Sequence, residues 1–165
     1  MQPGANMQLE PAVRPIAEVL ACPAPIANML DSAAQYIEFR ENDIIFRQKE
    51  LCRGLYIVVS GELLRKSERL EARIFLGLAR AGSLVEVAAA LGDGYHTYTL
   101  LARSRGSLML LPIESLQKAF RAHPPLRMQL LEELAREVSR AYTLCSSARI
   151  LAGRRRPAKI HPISS

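Results

Sequence analysis

The sequence predicts a mainly β domain with helices at both ends, and three observations carry that reading. Between Gln35 and Leu111 the apolar residues fall in short runs rich in β-branched and aromatic side chains, each closed by a turn former or a charge. On either side of that stretch the apolar spacing changes to the three-and-four step of a helix. The chain has 165 residues, enough for one core of ordinary size with little room for a second.

Residues 1–9 read as a flexible N-terminal stretch, 10–148 as the folded body and 149–165 as a basic tail. Val13, Ile16, Val19 and Leu20, then Ile26, Met29 and Leu30, lie at helical spacing. Cys22-Pro23-Ala24-Pro25 divides them into two short helices, since proline lacks the backbone donor a helix interior needs. The strand runs are Tyr36–Phe39, Ile44–Phe46, Leu55–Val59, Arg73–Leu76, Thr97–Leu100 and Leu108–Leu111. Glu41-Asn42-Asp43, Ser60-Gly61, Gly82-Ser83, Gly92-Asp93-Gly94 and Arg105-Gly106 separate them, and strands joined this closely pair antiparallel. After Pro112 a short helix reaches about Ala122. His123-Pro124-Pro125 interrupts it, and a long helix is expected from about Leu126 to Ala148, ~35 Å at the usual rise.

The long helix carries Leu131, Leu134, Val138, Ala141, Cys145 and Ala148 at steps of three and four, the seam of a paired helix. Such a seam packs either on the β body or on the same helix of a second chain. Leu126, Met128, Leu130, Tyr142 and Leu144 lie off it, so one stripe can face the body while the other forms a two-fold dimer.

The balance of 49% hydrophobic and 23% charged residues is that of a folded chain rather than a disordered one. No apolar stretch approaches the ~20 residues of a membrane span, and the start lacks the features of a signal peptide, so the expected location is the cytoplasm. Cys22, Cys52 and Cys145 offer neither a close pair nor a four-thiolate set. Of His96, His123 and His161 only His96 falls in the β region, so no metal site and no metal-dependent catalyst is expected. Haem ligation by His96, His123 or Cys52 has no support from spacing. Nucleophile elbows and phosphate-binding glycine loops of the nucleotide hydrolases are also missing, and the chain does not read as an enzyme. Net charge is +6, but Arg149, Arg154, Arg155, Arg156 and Lys159 supply five of those charges, leaving a nearly neutral body. The arginines form either a solvated chain end or a nonspecific, salt-sensitive contact to nucleic acid.

The run Phe39-Arg40-Glu41-Asn42-Asp43-Ile44-Ile45-Phe46-Arg47-Gln48, followed by Gly54-Leu55-Tyr56-Ile57-Val58-Val59-Ser60-Gly61-Glu62-Leu63, resembles the core signature of the cyclic-nucleotide-binding effector domain of Crp/Fnr regulators. The order of helices, strands, insertion and long helix agrees over roughly residues 10 to 150. The resemblance implies a double-stranded β-helix, jelly-roll-like, with a C-terminal dimerisation helix. It also implies a non-enzymatic homodimeric sensor, in transcriptional or signalling regulation, that binds a cyclic nucleotide or another small effector.

In that family a cassette of strand, short helix and strand holds the ligand phosphate. Here it matches Gly82 to Thr97, and the implied ligand-binding residues are Gly82, Val85, Glu86, Val87, Ala88, His96 and Thr97. Glu86 matches the ribose-binding carboxylate and Thr97 the phosphate-holding hydroxyl; Glu86 also reads as a simple helix-start charge. Several positions depart from the pattern. Val85 replaces a glycine at the point of closest backbone approach, and His96 stands where the phosphate arginine is expected. Loss of such an arginine removes ~2–5 kcal/mol, about two to three decades of affinity, which counts against a cyclic nucleotide. Asn42 and Lys49 replace turn glycines. Only 14 residues follow Leu151, too few for a helix-turn-helix, so the expectation is a chain that reads no DNA sequence by itself.

Further alternatives stand beside this. Tyr95 and Tyr98 either line a pocket or belong to core and rim. Arg73 and Arg80 either supply displaced phosphate charge or are solvated. The whole could be a protein-interaction module whose pocket is filled by Val85 and Tyr95.

Overall fold

The computed structural model describes residues 16–68 and 74–160, with side chains as far as Thr143 apart from those of 74, 75 and 141. A helical turn at 16–19 precedes α1 (Ala24–Ala33), which starts directly behind Pro23 with Pro25 in its first turn, where the missing proline N–H costs nothing. Eight strands follow: β1 (Gln35–Phe39), β2 (Ile44–Phe46), β3 (Gly54–Ser60), β4 (Leu63–Ser67), β5 (Ile74–Ala79), β6 (Leu84–Val85), β7 (Thr99–Ala102) and β8 (Gly106–Pro112). A short helix α2 (Val87–Leu91) joins β6 to β7, and α3 (Ile113–Ala122) and α4 (Pro125–Ile160) close the chain.

The strands form two four-stranded antiparallel sheets, ordered β1-β8-β3-β6 and β2-β7-β4-β5. One core lies inside the roll they make, and a second lies between the first sheet and the helices. β3 and β8 belong to both. Tyr56, Val58, Leu108 and Leu110 point into the roll, while Leu55, Ile57, Met109 and Leu111 point at Ile16, Leu30, Leu116, Leu126 and Leu130. A strand covered on both faces needs an unbroken apolar run, which is why these two segments lack alternation. The β3–β4 turn requires glycine: Gly61 has φ +87°, and a Cβ there would stand 2.6 Å from the Arg105 carbonyl oxygen.

Asn42 and Lys49 occupy left-handed turns, φ +74° and +77°, as their alignment with glycine positions implied. The structure adds β4 and β6 to the strands read from sequence. In β4, Leu63, Arg65 and Ser67 share the inward parity, but the charges of Arg65 and Lys66 obscure the apolar alternation. Helix α4 spans 36 residues and continues past the expected end at Ala148, because most of residues 149–156 are good helix formers. Arg154, Arg155 and Arg156 thus belong to its backbone, and their side chains lie outside the described residues, as do those of Ala141, Cys145 and Ala148. Arg73 and residues 1–15 lie outside the description altogether. No helix among the described residues is long and apolar enough to cross a membrane.

Candidate functional site

Strand β6 pairs with β3, with Tyr56 opposite Val85, and this delivers Glu86 to the roll interior at the start of α2. Glu86 is 0% exposed and adopts φ +69°, a left-handed conformation that costs a non-glycine residue ~1–2 kcal/mol. Its hydrogen bonds offset that cost. The Glu86 amide donates to Tyr98 Oη at 2.9 Å. Its carboxylate accepts the Thr97 amide at 2.7 Å and the Thr97 hydroxyl at 2.7 Å, and lies 2.8 Å from His96 Nδ1. An ionised carboxylate only accepts, which assigns the proton to Nδ1. The His96 ring stacks on Phe46, centroids 3.5 Å apart and planes 8° from parallel. His96 exchanges backbone bonds with the 47–52 loop, its carbonyl accepting from Lys49 and its amide donating to Glu50. Cys52 lies nearby, its thiol bonded to the Gly54 carbonyl at 3.0 Å and pushed by burial to about 11, an inert packed group.

A second group of side chains joins this interior to α4. Tyr98 Oη accepts from the Glu86 amide and from Arg65 Nε at 3.3 Å, and donates to Glu137 Oε1 at 3.1 Å, which completes a hydroxyl's usual set. Arg65, buried on β4, gives its other nitrogens to the carbonyls of Leu78 and Leu84, both at 3.1 Å. Burial pushes the Tyr98 phenol well above its ordinary range, and the Glu137 charge adds to the shift. Burial also raises the Glu137 carboxyl, against the opposing pull of the Arg65 guanidinium and the Tyr98 hydrogen bond. Glu137 is 9% exposed, and its Oε2 is buried with no partner. Beside it lies a cavity of about 380 Å³ lined by Arg65, Leu76, Ala88, Thr97, Tyr98, Leu134, Glu137, Val138, Arg140 and Tyr142.

The residues expected from the cassette divide between these regions. Glu86, His96 and Thr97 come together, but onto one another. Ala88 and Thr97 line the cavity. Val85 and Val87 are buried in the two cores, and Gly82 sits in an exposed turn with φ +89°. Tyr95 does not fill the pocket: it is 51% exposed because Gly92-Asp93-Gly94 turns it outward, where it bridges to Leu51. Tyr98 does line the cavity. Arg80 is exposed and paired with Glu62 at 3.0 Å, so it does not supply the cavity's charge. That charge is Arg65, which sequence reasoning missed; its inward parity with Leu63 is the signal that could have found it. Glu137 and Arg140 were also missed; Glu137 lies one helical turn beyond apolar Leu134, Arg140 one turn beyond Glu137, and all three line the cavity.

The cyclic nucleotide-binding domain family matches the sequence over residues 36–123, more than half of the chain and the whole of the roll with its cassette. The chain belongs to that family. Its fold is a regulatory, non-catalytic one. Solved structures share the fold at low identity. The catabolite activator protein of Thermus thermophilus is 24% identical with a TM-score of 0.67, over 84% of this chain and 63% of that one. The sensor domain of the Pseudomonas aeruginosa transcriptional regulator DNR is 16% identical with a TM-score of 0.65, over 74% and 90%. The regulatory domain of Toxoplasma gondii PKA, crystallised with cAMP, is 21% identical with a TM-score of 0.62, and this chain covers 44% of it. The chain thus spans less than two thirds of two of these three. Comparison with curated proteins returned no match.

Proposed function

We propose that this cyclic nucleotide-binding domain is a non-enzymatic sensor whose effector occupies the cavity beneath α4 and whose output is the position of that helix. The observation that supports it best is the Tyr98 hydroxyl, a single group bonded at once to the cassette amide of Glu86 and to Glu137 on α4, at the edge of an open cavity. An occupant that favours one placement of α4 shifts the equilibrium between placements by its differential affinity.

The output surface in this reading is the outer face of α4. Met128, Leu131, Ala135, Val138 and Tyr142 follow one another at steps of three and four and are all exposed, Leu131 by 37% and Val138 by 57%; Val138 and Tyr142 also line the cavity, so the stripe runs from the outer face onto its rim. This stripe suits a two-fold partner, with Leu131 and Val138 shared with the seam first read from the sequence and Leu134 turned inward instead. A transcriptional or signalling role follows by analogy with the Pseudomonas regulator and the Toxoplasma kinase subunit.

Cyclic nucleotides are weak occupants in this account, since the Glu86 carboxylate already accepts three hydrogen bonds from His96 and Thr97. The same engagement favours a second reading, a protein-interaction module that binds no effector. A thermal-shift screen that includes cyclic AMP and cyclic GMP separates the two, run in parallel on the wild type and on Ala88→Trp, which fills the cavity. The sensing reading expects at least one small molecule to raise Tm in the wild type and not in A88W. A ligand that shifts both alike binds elsewhere and contradicts the placement.

A further inference from the structure

We propose that the cavity beneath α4 takes a small apolar molecule with one acidic headgroup, bound head-inward against Arg65. This rests on the sensing reading above and names the chemistry of its occupant.

The walls set the body of the molecule. Leu76, Ala88, Leu134 and Val138 line most of the space, and about 380 Å³ is at the small end of what small-molecule sites offer. The deep end sets the head. Arg65 carries a permanent charge into a buried position, yet it bonds only to neutral oxygens, those of Tyr98, Leu78 and Leu84. These bonds use three of its five N–H groups, and Arg65 takes part in none of the ion pairs among the described residues. Its acidic neighbour on the lining, Glu137, acts on it through space and through the shared Tyr98 hydroxyl without a direct ion pair, and an anionic head supplies the direct partner that this buried cation lacks. Arg140, also on the lining but exposed, adds a second positive charge at the mouth.

Glu137 is the one acid on this lining, and its geometry fits the same occupant. Oε1 accepts from Tyr98, so a proton taken up by the carboxyl resides on Oε2, the oxygen that is buried without a partner. In that state it donates O–H to an anion held by Arg65. Burial raises the carboxyl from its ordinary value, which lowers the cost of taking up that proton when an anion binds. An ammonium head would instead meet two guanidinium groups, a repulsive arrangement.

The test uses one apolar body with three heads: 4-phenylbutyrate, 4-phenylbutyramide and 4-phenylbutylamine, titrated calorimetrically into the full chain at pH 7. The acid is expected to bind about tenfold or more tighter than the amide, and the amine not at all. Arg140→Ala should weaken the acid by several-fold and leave the amide unchanged. Glu137→Gln, which keeps an acceptor for Tyr98 and offers an N–H to the anion, should retain the acid. Silence from the acid at millimolar concentration overturns the proposal, as does an amine or amide that binds as tightly. Heat from the amine, the amide or a cyclic nucleotide alone overturns the acidic class and leaves a sensor of other chemistry. Silence from all three heads and from cyclic AMP and cyclic GMP removes the sensing reading as well.

Discussion

The roll interior around Glu86 and the junction between the roll and α4 both hold buried charge, but they are finished to different degrees. Around Glu86 the carboxylate has three hydrogen bonds from His96 and Thr97, and the histidine is stacked on Phe46. At the junction Arg65 makes no direct ion pair, Glu137 has an orphaned oxygen, and a cavity adjoins both. A fully satisfied polar group rigidifies its surroundings, whereas a partly satisfied one leaves free energy to be gained by a ligand or a rearrangement. On the proposed sensing reading, the glutamate that aligns with a ligand contact is therefore structural, and responsiveness resides one layer outward, at Tyr98.

The largest effect expected from this contrast is at Glu86. Glu86→Ala strands the His96 ring and the Thr97 amide and should destabilise the fold by ~3 kcal/mol or more in urea denaturation. A loss below ~1 kcal/mol would erase the distinction between a structural interior and a responsive junction. Tyr98→Phe comes next. It leaves the Glu86 amide and Arg65 Nε without an acceptor, and a loss of ~2 kcal/mol is expected, accompanied by faster amide exchange in the part of α4 around Glu137.

Glu137→Gln should act in the opposite direction. Burial raises the folded-state pKa of Glu137 above its ordinary 4.5, so between 4.5 and the raised value the folded chain holds a proton that the unfolded chain releases. Wild-type stability therefore falls as pH rises through that window, and the penalty stays in place above it. The glutamine variant escapes the penalty: it should be the more stable protein at pH 7, with the difference closing toward pH 4.5. A pH-independent difference would place the cause elsewhere. The smallest effect on stability belongs to Leu131→Asp on the outer face of α4, which lies outside the cavity lining, ~1 kcal/mol or less for the isolated chain. Sedimentation should nevertheless show monomers for this variant and dimers for the wild type.

The roll was legible because its central strands are covered on both faces, which leaves unbroken apolar runs such as Leu55-Tyr56-Ile57-Val58-Val59 between turn residues. The left-handed turns at Asn42 and Lys49 were legible from alignment with glycine positions. Within the site, the approach of Glu86, His96 and Thr97 was foreseen, but not that they would satisfy one another. That depends on a left-handed residue at 86 and on the 47–52 loop holding His96, neither of which has a periodic signature. Arg65 and Glu137 were hidden for a related reason. A charged residue on an inward parity reads as a break in the pattern until the partner element that buries it is known, and here the partners are 72 residues apart in sequence.

The account turns on where an effector acts, and a nitrogen-15 and proton NMR titration with 4-phenylbutyrate and with cyclic AMP tests this most directly. Shifts from 4-phenylbutyrate should cluster at Ala88, Tyr98, Leu134 and Glu137, while the His96 Nδ1 proton signal remains unchanged. Cyclic AMP that bound at micromolar concentration and displaced that proton would contradict the account, because it would make the Glu86–His96 pair the sensory element.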